Sequence, residues 1–340
     1  MKYLFLLTFI FLPFVTFSQS AFEETLNITI TPQIPAPGEL VKATVRTSFF
    51  SNLQKSNITW TVDGRVQKSG FGETTFEFRA PKAGERSTIT ASVEGLPGQT
   101  LTSNLSITPS DLDLVYEANT YTPPFYRGRS IFTANSTVTV AAIANLVEGQ
   151  TTLPKSRIIY TWEKDGERLP DQSGVGRDSI QLNTSIVPRS FYVTVTAESL
   201  NSNLKAKKRI LIRPSDPTVV LYENNPIYGS VFEKALTGSF NFDREEVSIT
   251  AIPYFFNISD RDSSQIKYSW FENGRSIGNE TFGSFINYLN PGKQKSGTSN
   301  LSVRVDHLTS VLQSGNSSFR INVLGQQQFD TITNNENTAF

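Results

Sequence analysis

The residue types that do most protein chemistry are scarce in this sequence of 340 residues, which has one histidine, His307, and no cysteine. A zinc site draws its ligands largely from Cys and His, and a Ser-His-Asp relay needs a histidine oriented by a carboxylate. One imidazole without a thiol supplies neither. His307 also shares the parity of Val303 and Val305, so it reads as a residue near a strand end. The remaining polar chemistry lies in carboxylates. Asp111, Asp113 and Glu117 form one group, and Asp260 with Asp262 forms another. Calcium is the ion such groups could take, through carboxylate and carbonyl oxygens at ~2.4 Å. Neither group repeats along the chain, since Asp113 aligns with Thr218, and both fall short of about six ligands. Turn capping and solvated charge are the favoured reading, calcium the alternative, and no other cofactor is expected.

Gly70-Phe71-Gly72 and Gly174-Val175-Gly176 lie between strands with no helix after them, so they read as turns or bulges and not as a phosphate cradle. Aromatic residues gather at Tyr121, Phe125, Tyr126 and Phe132, and again at Tyr228 and Phe232. Tyr121, Phe125, Tyr126, Tyr228 and Phe232 could form a binding surface, because aromatic side chains anchor interfaces and stack on sugar rings. Each segment directly follows a domain junction, which favours the other reading, rings buried against that joint.

The elements that must position these residues repeat. Ile58-Thr59-Trp60-Thr61-Val62-Asp63-Gly64, Tyr160-Thr161-Trp162-Glu163-Lys164-Asp165-Gly166 and Tyr268-Ser269-Trp270-Phe271-Glu272-Asn273-Gly274 carry the same signal. In each, a strand with a core tryptophan runs into an Asp-Gly or Asn-Gly hairpin turn. The copies recur roughly every hundred residues, the size of one β-sandwich domain. At a constant offset after each Trp lies a core valine, Val93, Val195 or Val303, in a strand alternating apolar with polar residues. Before each Trp runs another such strand: Val41-Ala43-Val45, Val138-Val140-Ala142 and Val247-Ile249-Ala251. Period two with one polar face marks antiparallel strands on a single core. No segment after the N-terminal run keeps a helical apolar period.

The pattern predicts an all-β chain of three tandem immunoglobulin-like Greek-key β-sandwich domains at 21–108, 109–213 and 214–325. A signal peptide at 1–20 precedes them and a polar C-terminal tail at 326–340 follows. Pro109-Ser110-Asp111 and Pro214-Ser215-Asp216 mark junctions too short for flexible tethers. Lys2, the apolar run Tyr3 to Phe17 and the small-residue exit Ser18-Gln19-Ser20 follow the plan of a secretory signal, with an uncleaved anchor as the rival. An exported chain without cysteine holds its domains by packing alone, which fits a bacterial protein better than an animal one.

Lys plus Arg and Asp plus Glu balance at 31 each, so no global field favours nucleic acid. No transmembrane segment is expected in the mature chain. Asn-x-Ser/Thr triplets occur at Asn27, Asn57, Asn104, Asn135, Asn183, Asn257, Asn279, Asn300 and Asn316. They would be glycan acceptors in a eukaryotic secretory pathway and unused in a bacterium.

With these residues in hand, the chain resembles tandem Ig-like or PKD-type repeat proteins exported by bacteria. The Trp-x-x-Asp/Asn-Gly turn, the Pro35-Ala36-Pro37-Gly38 entry and the segment from Tyr116 to Gly128 carry the likeness. The fuller Trp-Asp-Phe-Gly-Asp-Gly run of the PKD signature is missing. The segment Tyr116 to Gly128 is similar to one in surface proteins of candidate-phylum bacteria. The resemblance implies adhesion, surface display or spacing, and transfers no catalytic residue. The reading is therefore a non-enzymatic extracellular or cell-surface modular protein that binds an envelope glycan or a surface protein, or acts as a spacer. The alternative is a self-assembling structural subunit of a surface layer or appendage.

Overall fold

A computed structural model describes residues 25–48, 52–94, 100–149, 151–277, 283–289 and 297–323. The expected leader and C-terminal tail lie outside these residues. Among the described residues every regular element is a β-strand except three single 3-10 turns at Leu53–Lys55, Lys155–Arg157 and Pro170–Gln172.

The strands follow from alternation. In Leu40–Thr47, Val41, Ala43 and Val45 are buried while their neighbours reach outward, and Ser87–Glu94 does the same with Ile89, Ala91 and Val93. Each such strand makes one wall of a core. Leu26–Thr31, Leu40–Thr47 and Thr75–Arg79 form one antiparallel sheet. Arg65–Phe71, Asn57–Val62, Ser87–Glu94 and Thr100–Ile107 form the facing one. Chain order thus crosses between sheets as a Greek key does, giving an immunoglobulin-like sandwich.

The plan recurs downstream. Ser179–Asn183, Thr137–Asn145 and Asp111–Ala118 face Glu167–Arg168, Ile158–Lys164, Phe191–Ser199 and Lys205–Ile212. Thr218–Asn225, Glu246–Tyr254 and Phe285–Leu289 then face Ile266–Glu272, Gly297–His307 and Ser314–Val323. This third arrangement has two additions. Gly229–Ala235 hairpins back onto Thr218–Asn225, and Ser239–Phe242 runs parallel to Ser314–Val323, pairing with its last four residues. Three separate clusters of buried side chains fill the three sheet pairs.

Two recurrent devices fix each core. The indoles of Trp60, Trp162 and Trp270 are fully buried, so each ring N–H needs a partner inside the protein. Each finds a carbonyl in the segment leading to the next strand: Glu73 at 2.7 Å, Arg177 at 2.8 Å and Gly283 at 3.2 Å. The second device is the Asx-Gly turn, where Asp63, Asp165 and Asn273 all take positive φ. Such a residue is tolerated because its short polar side chain bonds locally. Each accepts a backbone N–H on Oδ1, from Thr88 at 2.8 Å, Tyr192 at 2.8 Å and Asn300 at 2.9 Å. Each also donates its own N–H to the carbonyl of that same residue. The turn is thereby clasped to the neighbouring strand.

Val195 lies directly opposite Trp162, and Val303 opposite Trp270. In the first sandwich, however, Trp60 faces Ala91, and Val93 faces Ile58. A constant sequence offset there hides a two-residue shift of register. Because the side-chain period is two, the shift preserves the inward face, and Val93 remains buried.

By compactness the described chain divides once, into residues up to 81 with 85–108, and residues 82–84 with 109 onward. The expected second and third domains fall together in one unit. The reason is a densely bonded joint, which also contains most of the sequence-derived candidates.

Candidate functional site

Strand Asp111–Ala118 ends at Asn119, and the chain returns at Thr137. Asn119 closes the base of this excursion: its N–H donates to the Thr137 carbonyl at 3.0 Å, and its Oδ1 accepts the Thr137 N–H at 2.6 Å. Pro123 and Pro124 lack N–H donors, so the arm cannot continue as a paired strand. It projects onto the third sandwich. Tyr121 and Phe255–Phe256 exchange backbone hydrogen bonds there, from Tyr121 N to the Phe256 carbonyl at 2.8 Å and from Phe255 N to the Tyr121 carbonyl at 2.8 Å. The Tyr121 ring packs against the third core.

Farther along the arm, Thr133 Oγ1 donates to the Phe255 carbonyl at 2.9 Å. Gln313, only 1% exposed, reaches across from the loop before Ser314. Its amide donates to Thr133 Oγ1 at 3.0 Å and to the Ala134 carbonyl, while its Oε1 accepts the Asn257 N–H at 2.8 Å. Asn257 donates from Nδ2 to the Asn135 carbonyl at 2.7 Å, and Asn135 Nδ2 donates to Ser310 Oγ at 3.0 Å. His307 braces the same loop. Its Nδ1 accepts the N–H groups of Thr309 at 3.2 Å and Ser310 at 3.1 Å, and its Nε2 faces the Asn257 carbonyl at 3.3 Å. Two donors at Nδ1 and a carbonyl at Nε2 assign the proton to Nε2. The lone histidine is 7% exposed and structural.

Beside the joint lies an open cleft of about 810 Å³. The arm lines one wall with Tyr121, Thr122 and Pro124, and the third sandwich lines the other with Phe232, Asp260 and Arg261. Arg261 is held by Ser230 at 3.2 Å and by Asp262 at 3.4 Å, while its carbonyl accepts the Tyr268 hydroxyl at 2.6 Å. Asp260 caps the turn by accepting the Asp262 N–H at 2.8 Å, and Asp262 accepts the Ser284 hydroxyl. Burial pushes the Tyr121 phenol above its ordinary range, Arg261 draws it down, and Asp260 and Asp262 push it up. Tyr268 is also raised, first by burial and then by Asp262. Behind the cleft, Phe232 packs edge-on to Tyr222, whose hydroxyl meets that of Tyr254 at 3.0 Å. Burial, then the contact with Tyr222, raises Tyr254.

The structure thus brings Tyr121, Phe232, Asp260 and Asp262 together. Tyr126 rests edge-on against Tyr254 and Phe255, and Phe132 is buried against Phe191 in the second core. Phe125 and Tyr228 stand 97% and 84% exposed outside the cleft. Asp111, Asp113 and Glu117 spread along the exposed side of one strand, and Asp113 pairs with Lys208 at 3.4 Å. Among the described residues no three carboxylate, histidine or cysteine side chains converge on one point. Of the glycine clusters, Gly72, Gly174 and Gly176 take positive φ and Gly70 sits within a strand.

Several triplets are by-products of strand alternation. Asn27-Ile28-Thr29, Asn57-Ile58-Thr59 and Asn300-Leu301-Ser302 each place a buried residue between two outward polar ones. The Asn135 and Asn257 amides are engaged in the joint, and Asn279 lies outside the described residues. Gln313 and Thr133 carried no signal in the sequence, because their role depends on loops 180 residues apart.

No family model matches this chain, and no curated protein matches it. Solved structures that resemble it are tandem β-sandwich arrays. Three N-terminal domains of the bacteriophage RB49 highly immunogenic outer capsid protein align over 89% of this chain and 99% of theirs, at 12% identity and a TM-score of 0.24. The Clostridium thermocellum CbhA fibronectin(III)-like modules align over 56% and 94%, at 11% and 0.26. The central fibronectin-III array of RIM-binding protein aligns over 85% and 98%, at 11% and 0.25. At such identities and scores the likeness carries no argument about activity or partner.

Proposed function

We propose that this chain is an exported, non-enzymatic modular protein of the bacterial cell surface that combines binding with spacing. On this reading a leader at 1–20 is removed, immunoglobulin-like domains occupy 21–108, 109–213 and 214–325, and the partner is an envelope glycan or a surface protein. One observation carries it, the joint between the second and third sandwiches. A flexible string of modules needs only a short linker, whereas here a long arm is given over to fixing one module on the next. Buried Gln313 bonds both Thr133 and Asn257 there, and the same arm forms a wall of a cleft. A fixed joint with a cleft beside it suits presentation of a recognition surface at a set distance.

The competing reading, a self-assembling subunit, draws on sheet edges. Thr100–Ile107 ends its sheet with a polar strand that lacks lysine, and among the described residues no strand pairs with its outer edge. The corresponding Lys205–Ile212 is guarded by Lys205, Lys207 and Lys208, and the last four residues of Ser314–Val323 are covered by Ser239–Phe242. These two defended edges weigh against strand-to-strand assembly as the main role. Export is tested by fractionating the producing cells and sequencing the N-terminus of the mature protein. A surface-accessible chain beginning at Ala21 supports the reading, and an intracellular chain that keeps Met1 contradicts it.

A further inference from the structure

We propose that the cleft beside the joint is a subsite for a neutral saccharide, with the Phe232 ring as its platform and Asp260 and Arg261 as hydrogen-bonding partners. The inference rests on the binding reading above and gives it a place and a chemistry. A pyranose has an apolar face of C–H groups and a rim of hydroxyls. An aromatic ring attracts the polarised C–H groups through its quadrupole, and ionised side chains make the stronger bonds to hydroxyls. Phe232 is 38% exposed, so part of its ring is open to solvent while an edge is anchored on Tyr222.

The charge pattern narrows the class. Arg261 is already paired with Asp262, and Asp260 adds a second carboxylate, so an anionic ligand would meet repulsion. A bare cation would find too few oxygens, because Asp262 is committed to Ser284 and Arg261. A purely apolar ligand would strand the polar groups of Asp260, Arg261 and Thr122. A polyhydroxylated neutral ligand satisfies both the ring and the polar wall. The volume of about 810 Å³ lies within the usual range of small-ligand sites.

The walls are also held in place before a ligand arrives. Arg261 is fixed through its side chain to Ser230 and through its carbonyl to Tyr268. Tyr121 is fixed by its backbone exchange with Phe255 and Phe256. A site whose groups are ordered beforehand loses less side-chain freedom on binding.

The test uses the mature chain, residues 21–340, titrated calorimetrically with cellohexaose, chitohexaose, mannohexaose and neutral polysaccharide purified from the producing cell. Binding of at least one probe is expected, weakened about tenfold in Phe232→Leu, which keeps apolar volume but removes the ring. Asp260→Asn should weaken it several-fold, with Tm unchanged in both variants. No binding by any probe overturns the proposal, as does binding that neither variant alters. If all the saccharides fail while the chain is still retained by an envelope protein, the saccharide subsite falls and the surface-binding reading stands. If envelope retention fails as well, both fall.

Discussion

Replacing Gln313 by alanine should unlock the joint while leaving both sandwiches folded. The wild-type side chain makes two hydrogen bonds across it, from its amide to Thr133 and Ala134, while its Oε1 accepts a third from Asn257 within the third sandwich. Thr133 and Ala134 are buried, so their freed acceptors would not all regain water. At about 1 kcal/mol for each of the two crossing bonds, the locked arrangement loses about 2 kcal/mol, roughly thirtyfold in the equilibrium between locked and open joint. The native chain has no cysteine, so Lys207→Cys and Asn316→Cys, at exposed positions on the second and third sandwiches, accept spin labels without background. Electron-electron distance measurements should give one narrow distribution in the otherwise native chain and a broadened one in Gln313→Ala. Calorimetry should show the shared unfolding of the two sandwiches separating into two transitions. A broad distribution before the substitution would show that the joint is not locked, and a narrow one after it would show that Gln313 does not lock it.

The repeats supply further tests. Trp162→Phe leaves the Arg177 carbonyl without its indole partner and opens space in the second core, so urea denaturation should show a loss of about 2 kcal/mol. Asp165→Ala removes the acceptor for the Tyr192 N–H and forces a β-carbon with no local bond into positive φ, which should cost about 1–2 kcal/mol. Asp165→Asn should be nearly neutral in the same assay, because Asn273 fills this place in the third sandwich with the same bonds. Stability should hold up to about pH 10 and fall above it. Tyr121, Tyr160, Tyr254 and Tyr268 are all raised in the folded state, chiefly by burial. Above the ordinary phenol range the unfolded chain binds fewer protons than the folded one, so rising pH favours unfolding. Tyr268→Phe should flatten that alkaline decline in a pH series of melting curves.

How far the sequence revealed this differs by level. Core faces were legible wherever apolar and polar residues alternate, as in Val193-Val195-Ala197 and Leu301-Val303-Val305, because pleating places every second side chain inward. The Asx-Gly turns were legible because positive φ restricts the residues that serve. The pairing of Trp60 with Ala91 was not, since a two-residue slip leaves the inward pattern unchanged. Nor was the strand Ser239–Phe242, whose place is set by the edge it covers. Within the candidate site, Tyr121 and Phe232 stood out as aromatic, and Asp260 and Asp262 as acidic, but as unrelated groups. Only the fold brings them to one cleft. The joint itself was hidden, because Gln313, Thr133, Asn135 and Asn257 are ordinary polar residues whose bonds span long stretches of chain.

The measurement that bears most directly on a binding-and-spacing role is retention of residues 21–340, the chain expected after the proposed cleavage, on envelope fractions of the producing cell. Isolated glycan, isolated surface protein and buffer serve as separate arms, with sedimentation run in parallel over a range of concentrations. A chain that binds and spaces is expected to be retained on one envelope fraction and to stay at constant mass as concentration rises. Absence of retention on every fraction, together with mass growing with concentration, would contradict that role and favour the assembling subunit.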